Sequence, residues 1–323
     1  MPTERQPNQP QSIPNRVLQG FAGRASDYIR RSKAASTLLI YRSDWNDFEN
    51  WCQSYGKTPL PASPETVGLY LSDLSTRLKP STLARHSAAI CYTHRSAGME
   101  PPTRDVTVRM LMSGIRRQHG TAPVSKKALL VPDLKRVVSG LPDKLIGTRD
   151  RALILVGFCG GFRRSEIVAL DFSDFEFSPQ GVAITVRRSK TDQFGRGRRI
   201  GIPYTSAPET CPVKALERWL ETSGIKEGPA FRPVTRHGKV RPTRLSAHAV
   251  ARIVKRRAKD AGLDPRQISG HSLRSGLATS AAMNGAAERK IMDQTGHRSL
   301  LQVRKYIQRG SVFQDNVVGM LGL

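Results

Sequence analysis

Acidic side chains are in short supply in this chain: 26 Asp and Glu stand against 52 Lys and Arg in 323 residues, a net charge of +26. An excess of that size goes beyond what solubility requires and points to a polyanionic partner, nucleic acid being the best fit. Cysteine is scarce as well. Cys52, Cys91, Cys159 and Cys211 are scattered with no CxxC pair, which argues against a thiolate metal centre or a dithiol redox couple and suits a reducing compartment. No apolar run approaches the roughly 18 to 20 residues that cross a bilayer, and Met1 to Pro14 is polar and rich in Pro and Gln, unlike a signal sequence. There is no Walker-type phosphate loop and no acidic metal-binding cluster, so no cofactor and no metal is expected. A wholly disordered basic tail is excluded too, because 38% of residues are hydrophobic and spread along most of the chain.

The apolar residues set out two domains, the default for this length. The first 22 residues read as a loose arm. Leu38, Tyr41, Trp45, Phe48 and Trp51 recur at steps of three and four, predicting a helix over 36–55 with one buried face. Ser63-Pro64-Glu65 reads as N-cap, first-turn proline and first-turn acid before Val67, Tyr70, Leu71 and Leu74. Further helices are expected over 81–97, closing at Gly98, and 104–118, stopped by Gly120. Residues 23–119 thus form a helical domain. Between 120 and 128 (GTAPVSKKA) apolar periodicity lapses into a basic linker. From 129 to 323 helices are expected after Pro132 and over 150–160 and 163–170. Then the period changes to that of a small antiparallel sheet, with strands at 175–177, 182–187 and 198–202. Helices resume over 213–221, 247–261, 271–283, 287–294 and 300–307. The fold class is mainly α with a small antiparallel β-sheet.

A phosphodiester cleaved without a metal needs cations for the charge developing on its nonbridging oxygens, a nucleophile, and a proton donor for the leaving oxygen. The second domain offers all three. Arg163, in Gly161-Phe-Arg-Arg-Ser-Glu166, emerges after an apolar helix with Glu166 one turn on to hold it. His271-Ser-Leu-Arg274 puts an imidazole and a guanidinium on one helix face, and arginine matches phosphate with a planar fork that stays protonated. Lys190 lies at the tip of the hairpin between the last two strands. Gly296-His297 precedes Tyr306, which stands among Arg304, Lys305 and Arg309 and carries a phenolic oxygen able to act as nucleophile. Each of these, taken alone, has an ordinary reading as a cap, a surface pair or a solvated side chain.

Their order decides otherwise. The series GFRRSEI, RSKT, HSLR, GH and Y resembles the tyrosine recombinase (phage integrase) family, closely its Cre-like and Xer-like members, from about residue 25 to the end. The resemblance implies a helical, SAM-like core-binding domain joined by a basic linker to an α+β catalytic domain. It implies the catalytic set Arg163, Lys190, His271, Arg274 and His297, with Glu166 in support and Tyr306 as nucleophile. His297 stands where Cre carries tryptophan. The expected function is site-specific DNA recombination through a 3′-phosphotyrosyl intermediate and a Holliday junction. A homotetramer on two double-stranded DNA sites is expected, its apolar tail from Val312 docking on a neighbour, in a bacterial cytoplasm or nucleoid. Phosphate and base contacts are expected from Arg85 and His86 on one helix, Lys126 and Lys127 in the linker, and His248 with Arg252 on another helix. A type IB topoisomerase, a noncatalytic DNA-binding protein of the same fold, and a metal nuclease are the alternatives.

Overall fold

The computed structural model describes residues 32–122, 126–189, 192 and 195–310, with isolated positions at 20, 21, 23, 24, 28 and 321. Side chains in the last helix are described as far as Tyr306. Most of the expected arm, Lys190, and the tail from Val312 except Leu321 lie outside the described residues. The chain divides into two compact units, Met1–Pro123 and Val124–Leu323.

In the first unit the described α-helices are α1 (Ala35–Ser54), α2 (Pro64–Ser75), α3 (Pro80–Ser96) and α4 (Val106–His119). Helix α2 starts where local chemistry dictates: the Ser63 hydroxyl accepts the Thr66 N–H at 3.1 Å, Pro64 fills the first position, and Glu65 lies in the first turn. Helix α4 begins two residues later than the expected 104. A 3₁₀ turn, Pro102–Arg104, comes first, and Asp105 then caps the helix by accepting the Thr107 N–H at 2.8 Å. The buried faces meet in a core around Phe48, Tyr70, Leu71, Leu83 and Ile90, with the Phe48 and Tyr70 rings edge to face at 5.0 Å. His94 is fully buried. Its Nε2 accepts the Ala62 N–H at 2.9 Å, so Nδ1 carries the proton and donates to the Ile90 carbonyl at 2.9 Å.

In the second unit α5 (Val131–Ser139) and α6 (Leu145–Cys159) lead to the short α7 (Arg164–Ala169). Strands β1 (Phe175–Ser178), β2 (Gly181–Val186) and β3 (Arg198–Pro203) form an antiparallel sheet in the order β1-β2-β3, with Ile184 opposite both Phe175 and Ile200. Helices α8 (Pro212–Ser223), α9 (Ala247–Asp260), α10 (Ser272–Met283), α11 (Glu288–Thr295) and α12 (Leu300–Gly310) complete it. The molecule is mainly helical with one small sheet, as its periodicities predict. Helix α6 starts five residues before the expected 150. Its second turn carries Arg149 and Asp150, which break the apolar pattern yet are buried. The Asp150 carboxylate receives Nε of Arg149 at 2.7 Å on Oδ1 and Nε of Arg257 at 2.7 Å on Oδ2, pinning α9 to α6. A buried ion costs several kcal/mol unless so paired.

Residues 126–129 run along the segment that leads into α10. The Lys127 N–H donates to the Gln267 carbonyl at 2.8 Å and the Leu129 N–H to the Ser272 carbonyl at 3.0 Å.

Candidate active site

The chain reverses at Gly160-Gly161 after α6. Gly161 has φ +57°, and a Cβ there would press on Leu277 of α10 and Thr295 of α11 at 3.0 Å, so these elements close tightly around the turn. Arg163 follows as the N-cap of α7, and Glu166 occupies the third helical position. The Glu166 carboxylate is fully buried; it accepts the Arg163 backbone N–H at 2.9 Å on Oε2 and the Arg163 guanidinium at 2.6 Å on Oε1. Arg163 is therefore held at both backbone and tip.

Arg274, in the first turn of α10, is 0% exposed. Its NH1 donates to the Gly161 carbonyl at 2.7 Å and to the Thr295 carbonyl. Its Nε and NH2 are buried and have no partner among the described residues. That unused edge is the one that forms a two-pronged contact with phosphate or carboxylate oxygens. His271, just before α10, brings Nε2 within 2.8 Å of the Tyr306 hydroxyl on α12. His297, on the turn between α11 and α12, is 7% exposed, and its ring lies 5.6 Å from that of Tyr306. The Thr295 hydroxyl donates to the Ile291 carbonyl at 2.5 Å, so it accepts from Nδ1 of His297 at 2.7 Å, leaving Nε2 as the free nitrogen.

Charge is unbalanced here. Three guanidinia, of Arg163, Arg198 and Arg274, surround one carboxylate, that of Glu166. Burial, then Arg163, pushes Arg274 down to about 9. Burial, then Arg274 and Arg163, pushes His297 down to about 3. His271 keeps one face open to solvent, yet desolvation of its ring and then Arg274 lower its pKa too. Both imidazoles are neutral at pH 7, and the cations outnumber the one carboxylate.

The structure thus brings together Arg163, Glu166, His271, Arg274, His297 and Tyr306. It adds Arg198, which the sequence reading passed over although strand alternation flags it: Arg198 shares a face of β3 with Ile200 and Ile202, both buried. The expected surface contacts fare unevenly. His248 and Arg252 are exposed on α9. Lys126 donates to the Arg266 carbonyl at 2.7 Å, and Lys127, 55% exposed, faces Asp133 at 3.8 Å. Arg85 is half exposed but grips Asp44 with both prongs, at 2.7 and 2.9 Å. The expectation for His86 is corrected: it is 4% exposed, with Nδ1 2.9 Å from the Tyr70 hydroxyl and Nε2 3.4 Å from Asp44. It is a core residue of the bundle, unable to read a base. Asp44, Asp47 and His86 also form the one grouping of metal-ligand type among the described residues, with both Asp44 oxygens already taken by Arg85.

The phage integrase family profile matches residues 128–311, more than half of the chain. The integrase/recombinase xerD homolog of Selenomonas ruminantium is 45% identical over 302 residues, covering 92% of this chain and 89% of its own length. The chain belongs to the phage integrase family. It is a tyrosine recombinase, an enzyme of DNA strand breakage and rejoining. Recombinase cre of Escherichia phage P1 is 26% identical to this recombinase over 301 residues, covering 86% of this chain and 85% of its own. A crystal structure of a lambda integrase (75-356) dimer bound to a COC′ core site shares the fold, with a TM-score of 0.63 at 17% identity and coverage of 93% of this chain and 98% of that one. Among the described residues of the recombinase, no helix is long and apolar enough to cross a membrane.

Proposed function

We propose that this recombinase cleaves DNA by attack of the Tyr306 hydroxyl on a scissile phosphate. The new P–O bond to Tyr306 forms as the P–O5′ bond breaks, giving a 3′-phosphotyrosyl link and a free 5′-hydroxyl. His271 takes the phenolic proton, for which its neutrality and its 2.8 Å approach to Tyr306 suit it. Lys190, between β2 and β3 in the sequence, gives a proton to the departing 5′-oxygen. Arg163 and Arg274 stabilise the pentacoordinate charge. His297 joins them once the phosphate arrives, because an anion beside Nε2 favours the imidazolium. The carrying observation is Arg274: a fully buried guanidinium with its Nε–NH2 edge unused, in the constellation that also holds the His271–Tyr306 pair.

Rejoining by the partner strand's 5′-hydroxyl would conserve the bond energy in the phosphotyrosine, so the reaction draws on neither nucleotide nor metal. Exchange of one strand pair gives a Holliday junction, and of both a recombinant, within a homotetramer on two sites tied by the tail from Val312. The first unit is the core-binding domain (23–119), followed by a basic linker (120–128) and the catalytic domain (129–323), in the bacterial cytoplasm or nucleoid. The excess of cations grips phosphate, so binding weakens steeply with salt; Arg85, Lys126, Lys127, His248 and Arg252 supply contacts. The test is a nicked suicide duplex, its sequence selected by the protein from a random pool. A covalent protein–DNA adduct that disappears in Tyr306→Phe is expected; a bound duplex with no adduct refutes the reading. Mixing two labelled duplexes then separates strand exchange from relaxation of one.

A further inference from the structure

Arg198 is the first residue of β3, opposite Val186 of β2, on a strand face otherwise given to buried aliphatic side chains. Its side chain is 19% exposed. NH2 donates to Oε2 of Glu166 at 3.0 Å, NH1 donates to the Gln294 carbonyl at 3.2 Å, and the guanidinium carbon lies 5.9 Å from the centre of the Phe162 ring. Each of these partners supports a different part of the site. Glu166 holds Arg163. The Gln294 carbonyl belongs to the end of α11, whose next residue, Thr295, anchors Arg274 by its carbonyl and His297 by its hydroxyl. Phe162 joins Gly161, the other carbonyl anchor of Arg274, to Arg163. Space is kept for this guanidinium at Gly296, where φ is +65° and any Cβ would run into it.

A third cation among Arg163 and Arg274 is electrostatically unfavourable, and an apolar side chain would fill this strand face at lower cost. We propose that Arg198 is a positioning residue for strand cleavage: by holding Glu166 and the end of α11 at once, it sets Arg163 and Arg274 at the separation that lets both meet one phosphate. This rests on the assignment of those arginines and Tyr306 given above.

The test compares wild type, Arg198→Gln and Arg198→Lys in adduct formation on the selected suicide duplex, carrying either the ordinary scissile phosphodiester or a methylphosphonate. The methylphosphonate lacks one nonbridging charge and so depends less on aligned guanidinia. Arg198→Gln is expected to lose about tenfold to a hundredfold on the phosphodiester and less than about threefold on the methylphosphonate, with duplex binding retained. Arg198→Lys keeps the charge and most of the volume, guards against misfolding, and is expected to show the same selective loss to a smaller degree. Equal losses on both substrates, or none, overturn the proposal while wild type still forms the adduct. Absence of the adduct in wild type overturns the assignment of Tyr306 and the proposal with it.

Discussion

Two buried clusters in the second unit are built from the same parts, arginines around one carboxylate, and end in opposite states. At Asp150 both carboxylate oxygens are taken, and Arg149 and Arg257 face them directly. Arg257 has a second acid in Asp260, at 3.1 Å. At Glu166 the carboxylate is equally well used, but the cations outnumber it: the Nε–NH2 edge of Arg274 and Nε of Arg198 are buried without partners among the described residues. Burial alone therefore does not distinguish a structural ion cluster from the proposed reactive one. Unspent donors do, because leaving them buried costs stability that a bound anion recovers.

The comparison breaks most visibly at its structural end. Asp150→Asn leaves the buried Arg149 without a counter-charge and Arg257 with Asp260 alone, and should destabilise the fold by about 3–5 kcal/mol, read by denaturant unfolding, with the cleavage rate per folded molecule unchanged. Arg274→Met should do the reverse. Cleavage falls by about a hundredfold to a thousandfold while the unfolding midpoint moves less than in Asp150→Asn. A collapse of stability in Arg274→Met would mean that the Glu166 cluster is as structural as the other.

A pH series sharpens the contrast further. Burial and the nearby arginines push His297 down from its ordinary 6.5 to about 3, so between these values the unfolded chain binds a proton there that the folded chain does not. Its contribution to stability is complete above pH 6.5 and falls with pH by about 1.4 kcal/mol per unit across that window. His297→Gln lacks this titration, so the two unfolding profiles should diverge by that slope across the window; parallel profiles would show that the ring does not sit in a desolvated cationic site. The smallest effect is expected for Arg256→Ala. Arg256 is half exposed and lies 3.5 Å from an Asp150 oxygen that Arg257 already holds, so its loss should cost less than about 1 kcal/mol.

Much of this was readable in the chain because local rules act locally. Ser63-Pro64-Glu65 starts a helix for reasons contained in three residues, and the change from a period of three and four to a period of two announces the sheet. Within the described site, Arg163, Glu166, His271, Arg274, His297 and Tyr306 were legible as an ordered set of residue types, whereas their convergence was not. What escaped depends on distant partners. The first turns of α6 were hidden because Arg149 and Asp150 look like surface residues until they pair with each other and Arg257, far along the chain, closes on Asp150. His86 looks solvated until Tyr70 and Asp44 close on it. Arg198 differs, since its inward phase on β3 was visible and only its partners were not.

The backbone pairing of residues 127 and 129 with 267 and 272 has a practical consequence for dissecting the protein. It places the connecting segment beside the residues that lead to His271, as an edge of the second unit's own architecture. A fragment meant to isolate that unit has to begin before Lys126. One cut at Leu130 would remove the donors that the Gln267 and Ser272 carbonyls rely on, loosening the approach to α10 before any DNA is added.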